Sequence, residues 1–294
     1  MRTNNGQILY IPKIGQRVDF QHPLMKGCLG WWPLTDGAGG ILKDISGNGL
    51  DATLNGSSTW EMKTLGIVNR FDNDTTRGNN ASTANVQLDL STYTACFWVR
   101  HEELYSGTNN YGGAICLTYG PSLVSDLEIY TNSFATSSQY HQIVHNRNNG
   151  GTIQAHQFMA SGGEKQADNN NWVFWAMAYD GTNVRQYKNG SLKATSDTLA
   201  APISTTGKKI ALNQVEDFRG LTCSMQNVRL YDRPLLSSEV FELYINPWSG
   251  LSIPSATRYF FLSSPSPTIN PFSRIITSST ILNKSGKTVI RRGS

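Results

Sequence analysis

Charge is scarce in this sequence: Asp, Glu, Lys and Arg make up 16% of its 294 residues. No apolar run approaches the roughly 18 residues that span a bilayer, so no membrane-crossing helix is expected. The amino terminus, MRTNNGQILYIPKIGQRVDF, has no uninterrupted apolar core and no cleavage pattern, and does not read as a signal peptide. Cys28, Cys96, Cys116 and Cys223 are scattered, with no C-x-x-C and no histidine at zinc-finger spacing. They are expected to be free thiols that pack as small hydrophobes. No G-x-S-x-G elbow is present. His141 and His145 lie four apart in strand-like text, where about 13 Å would separate them, so no metal pair is expected there. Two carboxylates, Asp126 and Glu128, sit at alternate positions, but no third acid follows at 129–133; an exposed polar strand edge is expected rather than catalysis.

Turn formers are abundant, with 27 glycines beside many Ser, Thr and Asn, as suits short strands joined by many turns. The most informative stretch is WVFWAMAYDGTNVRQYKNGSLKAT, residues 172–195. Its apolar run 172–179 is closed by Asp180-Gly181, and the alternating run 183–188 by Asn189-Gly190. Both dipeptides supply the positive φ that tight hairpins require, so three consecutive antiparallel strands are predicted. Further strands are expected at CLGWWPL, 86–90, 92–100, 114–119, 127–130, around 141–145 and 152–159, 209–212 and 221–231. One helix follows, with Pro234 setting the approach, Ser237 as cap and Glu239 near its N-terminus. Val240, Phe241, Leu243 and Tyr244 are its predicted buried face, and Asn246-Pro247 its stop. Adjacent Trp31 and Trp32 must point to opposite faces of their strand, so one is expected to be half-exposed or covered by an arm.

The net charge of +4 is unevenly spread. Residues 252–294 carry six basic residues and no acidic one, which leaves 19 basic against 21 acidic in 1–251. A body of −2 thus carries a tail of +6, the pattern of an attachment arm. Its basic residues are separated by apolar ones, unlike a phosphate-neutralising block, so no specific nucleic acid is expected. The tail is rich in Pro, Ser and Thr yet holds Tyr259, Phe260, Phe261 and Phe272, a composition suited to lying extended along a partner. The expected organisation is a lead-in over 1–26, a β body over 27–250 and a C-terminal arm over 251–294.

The opening GCLGWWPLTDGAGGILKDISGNGLDATLNG resembles a laminin-G-like, concanavalin A-like domain, with its G-x-x-G-x-W strand before a D-x-S-G-N-G loop. LDLSTYTACFWVR, NNNWVFWAMAYDGTNVRQYKNG and SMQNVRLYDRPLLSSEVFELY continue the resemblance in order over about 22–248. It implies an all-β, two-sheet antiparallel jelly-roll sandwich (concanavalin A-like) with extended N- and C-terminal arms. DFQHPLMKGCLGWWPL and LYINPWSGLSIPSATRYFF are similar to flanks of tailed-bacteriophage virion proteins. The resemblance therefore implies a non-enzymatic capsid decoration protein, located in virions assembled in the host cytoplasm. Its expected partners are major capsid or neighbouring structural subunits and further copies of itself.

Trp248, Arg258, Tyr259, Phe260, Phe261, Phe272, Arg274, Arg291 and Arg292 are the expected arm contacts. The alternative is a glycan-binding adhesion module that recognises surface glycans, with Tyr105 and Tyr111 in the loop HEELYSGTNNYGG stacking on sugar faces. A glycan hydrolase is a third reading. The resemblance also permits a structural calcium ion, for which Asp44, Asn48 and Asp51 are candidates in their glycine-rich loop. The rival reading is that Asp44 and Asn48 close their own turn.

Overall fold

Asp180 and Asn189 organise three strands of one large sheet from its turns outward. The Asp180 carboxylate accepts hydrogen bonds from the amides of Thr182 and Asn183 at 3.0 and 2.8 Å. Asn189 and Gly190 both have positive φ, 50° and 76°, the pairing a two-residue type I′ hairpin needs. The computed structural model describes residues 2–4, 7–9, 16–72, 80–102, 111–118, 125–132, 143–149, 152–158, 170–196, 203–213, 222–252, 279–282 and 288–291. Tyr105, Arg258, Tyr259, Phe260, Phe261, Phe272, Arg274 and Arg292 lie outside the described residues.

In chain order the strands begin with β1 (Arg2–Asn4), β2 (Gln7–Leu9), β3 (Cys28–Trp32), β4 (Ile41–Leu42), β5 (Ala52–Asn55), β6 (Ser58–Lys63) and β7 (Gly66–Phe71). Next come β8 (Asn80–Thr83), β9 (Val86–Leu90), β10 (Tyr93–His101), β11 (Tyr111–Thr118), β12 (Ser125–Asn132), β13 (Ile143–Asn149) and β14 (Thr152–Phe158). The series continues with β15 (Val173–Tyr179), β16 (Val184–Lys188), β17 (Ser191–Ser196), β18 (Ile203–Leu212) and β19 (Cys223–Tyr231). Helix α1 (Ser237–Ile245) follows, then β20 (Ser279–Leu282) and β21 (Thr288–Arg291). Among the described residues no helix is long and apolar enough to cross a membrane.

Two large antiparallel sheets form among the described residues. One has eight strands, ordered β17-β16-β15-β10-β19-β7-β6 with β3 also on β19; the other has nine, ordered β14-β13-β12-β11-β18-β8-β5-β4 with β9 on β18. The chain divides into two compact units, Met1–Pro254 and Ser255–Ser294. The sheets belong to the first; within the second, β20 and β21 pair as a hairpin.

The core between the sheets gathers Trp32, Phe71, Tyr93, Phe97, Trp175, Met177, Ile210, Met225 and Leu230. Burying each large apolar side chain contributes about 1.5–3 kcal/mol, so this layer dominates stability. Gly30 is required within it: a Cβ there would stand 2.2 Å from the Trp32 ring. A second core lies on the other face of the eight-stranded sheet. There Trp31, Cys96, Trp98, Phe174, Tyr187 and Tyr231 pack with Leu24, Met25, Val240, Leu243 and Trp248. Adjacent Trp31 and Trp32 thus do face opposite ways and are both fully buried. What covers Trp31 is the chain's own flanks, the 3-10 turn Pro23–Met25 and the segment after α1.

The helix corrects two details of the sequence reading. Leu236, not Ser237, is its N-cap residue. The Leu236 amide donates to the Glu239 carboxylate at 2.8 Å, and Ser237 Oγ instead meets Tyr187 Oη at 3.0 Å. Phe241, expected to be buried, is half-exposed. Cys28, Cys96 and Cys223 are buried and free. Burial pushes the Cys28 and Cys96 thiols up to about 12, which keeps them protonated and unreactive.

Candidate functional site

Both ends of the body leave it from one place. Val18 and Leu251 form an antiparallel bridge. The Asp19 amide donates to Gly250 O at 2.8 Å, and the Ser252 amide to Arg17 O at 2.7 Å. Gln16 Nε2 adds a bond to Ser252 O at 2.9 Å. This clasp closes the lead-in against the residues that follow α1.

Arg229 anchors the clasp from below. Its guanidinium lies 3.6 Å from the centroid of the Trp31 ring and donates to Pro247 O at 2.7 Å and Ser249 O at 2.9 Å. At 1% exposure it is a fully buried cation whose donors are spent on main-chain carbonyls and, at 3.4 Å, on Tyr231 Oη. Sequence reasoning missed this residue, because an arginine in a strand gives no local sign of burial. Arg233 performs a related task at the rim. It forms a bidentate pair with Glu239 at 2.9 and 2.7 Å and donates to Lys26 O and Pro23 O. Burial raises the Glu239 carboxyl, but the Arg233 bonds outweigh it and hold the group below its usual range.

Trp248, expected from the sequence to serve a partner, is instead part of the body. It is 7% exposed and packs in the second core, so its ring is already covered by this chain. Arg291 lies on β21 in the second unit. Tyr111 opens strand β11 rather than lying in a loop.

The loop proposed for calcium is closed by its own residues. Asp44 Oδ1 accepts from the amides of Trp31 and Ser46, each at 2.9 Å. Its Oδ2 accepts from Ser46 Oγ at 2.8 Å and the Leu50 amide at 2.9 Å. Four donors fill the acceptor capacity of one carboxylate. Asn48 turns its amide nitrogen to Cys28 O and Leu29 O, and Asp51 accepts from Lys43 Nζ and the Asp44 amide. The Lys43 bond holds the Asp51 carboxyl below its ordinary value. In this arrangement the three residues fit turn closure and do not fit a calcium shell. Among the described residues no group of three His, Cys, Asp or Glu side chains converges as metal ligands would.

The other end of the sheet's outer face is charged. Glu102 is held by Lys63 at 3.1 Å, Arg70 at 3.0 Å and Ser224 Oγ at 2.6 Å. Glu61 pairs with Lys63 at 2.6 Å, and Asp72 with Arg70 at 2.8 Å. The Lys63 bond keeps the Glu61 carboxyl below its ordinary range. A hydrolytic pair needs one carboxyl kept protonated beside an ionised one; these acids are neutralised by cations instead.

Comparison with known proteins places this geometry. Three solved structures share the fold over about three quarters of this chain. They are the binding domain of Paraclostridial Mosquitocidal Protein 1 (TM-score 0.59, 14% identity, 75% of this chain and 52% of that one), the botulinum neurotoxin serotype G binding domain (0.54, 17%, 74% and 50%) and the binding domain of botulinum neurotoxin DC in complex with SialylT (0.58, 13%, 75% and 52%). The chain spans about half the length of these structures. No curated protein matches it. A laminin-G-type family model described as the concanavalin A-like lectin/glucanases superfamily matches residues 74–241, more than half of the sequence. With its two antiparallel sheets and its Gly-x-Trp opening strand, the chain belongs to the concanavalin A-like lectin/glucanases superfamily.

Proposed function

We propose that this chain is a non-enzymatic structural protein of a virus particle, a capsid decoration protein of a tailed phage whose jelly roll is carried by its end segments. The observation that carries this reading is the clasp. Residues 16–19 and 250–252 pair antiparallel, so both terminal segments depart from one anchored point on a body that closes its own second core. Beyond it lies a tail of six cations and no acids. Arg258, Tyr259, Phe260, Phe261, Phe272, Arg274, Arg291 and Arg292 are the proposed contacts, giving apolar burial and charge pairing on a neighbouring capsid subunit or another copy. Deleting residues 253–294 tests this. The truncated protein should keep the far-ultraviolet spectrum of the β body and lose incorporation into particles. Undiminished incorporation overturns the reading.

A second reading, a glycan-binding module, is supported by the fold and by one neighbour having been solved with SialylT. Tyr105 and Tyr111 are its sequence-derived residues. On this reading a glycan array of the full chain gives a specific signal that Tyr105→Ala weakens.

A further inference from the structure

A sheet can grow only at its edges, and the eight-stranded sheet ends at β6 and β17. β17 is bulged against β16, with a register shift between Gln186 and Tyr187, and a bulge turns an edge away from further pairing. β6 is regular: its six residues, Ser58–Lys63, pair one to one with β7 without a shift. Among the described residues no strand lies on its other side. Met62 is 68% exposed there, and Thr64 is exposed as well.

Turn geometry fixes which groups of β6 point outward. Thr64 and Leu65 form a two-residue turn, so the flanking pair, Lys63 and Gly66, is the hydrogen-bonded one. Bonded and non-bonded pairs alternate along an antiparallel ladder, so Glu61 and Thr59 also spend their main-chain groups on β7. The N–H and C=O of Trp60 and Met62 therefore face away from it. Side chains alternate too. Trp60 packs on the core between the sheets, and Met62 continues that row to the margin beside Ile67, its exposed pair on β7. Glu61 and Lys63 share the opposite face, paired at 2.6 Å.

We propose that β6 is a self-pairing edge, through which two copies of this chain join their eight-stranded sheets antiparallel about a two-fold axis at Met62. This surface lies on the body and goes beyond the tail contacts proposed above. With Met62 opposite Met62 of the second copy, the two exchange both main-chain bonds and their side chains cover each other. Glu61 then stands opposite Lys63 of the second copy, and Lys63 opposite its Glu61, so two intrachain pairs merge into four alternating charges. Opposite charges across a ladder stabilise it, and like charges directly opposite weaken it. A slip of one residue sets outward groups against groups already spent on β7. A slip of two sets Glu61 against Glu61, and a slip of four leaves Lys63 with no opposite charge across the ladder.

Sedimentation equilibrium of the full chain over a concentration series tests this, with circular dichroism reading the fold of each variant. The parent should dimerise. Met62→Pro removes the outward N–H and leaves the ladder to β7 intact, as proline can on an edge strand. Loss of the two central bonds should weaken the dimer about tenfold. Glu61→Lys and Lys63→Glu should each be monomeric at concentrations where the parent is a dimer, because each sets like charges opposite one another. Mixed in equal amounts the two should form a heterodimer, since every charge of one then faces its opposite on the other. A parent that stays monomeric throughout overturns the proposal. So does a dimer that Met62→Pro leaves unchanged, and so do two folded charge variants that remain monomeric when mixed.

Discussion

Arg229→Ala is the most informative perturbation of the body. The side chain serves Pro247 O and Ser249 O and lies on Trp31, all in a site closed to solvent. Removing it orphans two carbonyls, at about 1–3 kcal/mol each. It also removes a desolvated cation–π contact of about 2 kcal/mol. Relief of the cation's own desolvation, several kcal/mol, acts in the opposite direction. A net loss of about 3 kcal/mol remains, and at about 2–4 °C per kcal/mol for a domain of this size the midpoint should fall by roughly 6–12 °C. Arg229→Lys keeps the charge but not the planar fork, so it should recover about half of the loss. Hydrogen exchange supplies the local readout. The amides of Asp19 and Ser252, which close the clasp, should exchange faster in Arg229→Ala than in the parent. A midpoint within about 2 °C of the parent, or unchanged exchange at both amides, refutes the argument that this cation anchors the terminal segments.

Asp44→Ala removes the acceptor for the amides of Trp31, Ser46 and Leu50 and should destabilise by about 2–4 kcal/mol; calcium or a chelator should leave the parent's melting point unchanged, and a calcium-dependent rise of several degrees contradicts the turn-closure assignment. Asn69→Leu should raise the melting point, because both side-chain amide atoms of Asn69 are buried with no hydrogen-bond partner among the described residues; a lower midpoint goes against this. The Glu239 carboxyl is held below its usual 4.5, so its contribution is complete above that pH and is lost as pH falls through the lowered value. Glu239→Gln should therefore flatten the acid limb of a stability-versus-pH curve, and an identical limb counts against the Arg233 pair.

What the sequence makes legible is local. Gly181 and the pair Asn189-Gly190 announce their hairpins because positive φ comes readily to glycine and asparagine themselves. The alternation of Trp31 and Trp32 likewise reveals two covered faces. The hairpin of β6 and β7 stays hidden because its turn, at Thr64 and Leu65, lacks a glycine at its centre, and because Met62 and Ile67, paired across it, are exposed. Trp248 reads as a free aromatic beside a proline. Only tertiary packing with Trp31 and Met25, more than 200 residues earlier, makes it core.

Chemical cross-linking of purified particles followed by mass spectrometry addresses the central claim most directly. Lys284 and Lys287 are the only lysines of the cationic tail. If that tail ties the jelly roll to its neighbours, both should link to a capsid subunit or to another copy, while lysines of the body such as Lys43 and Lys193 do so far less. Tail lysines linked solely within their own chain, in particles that retain the protein, would contradict it.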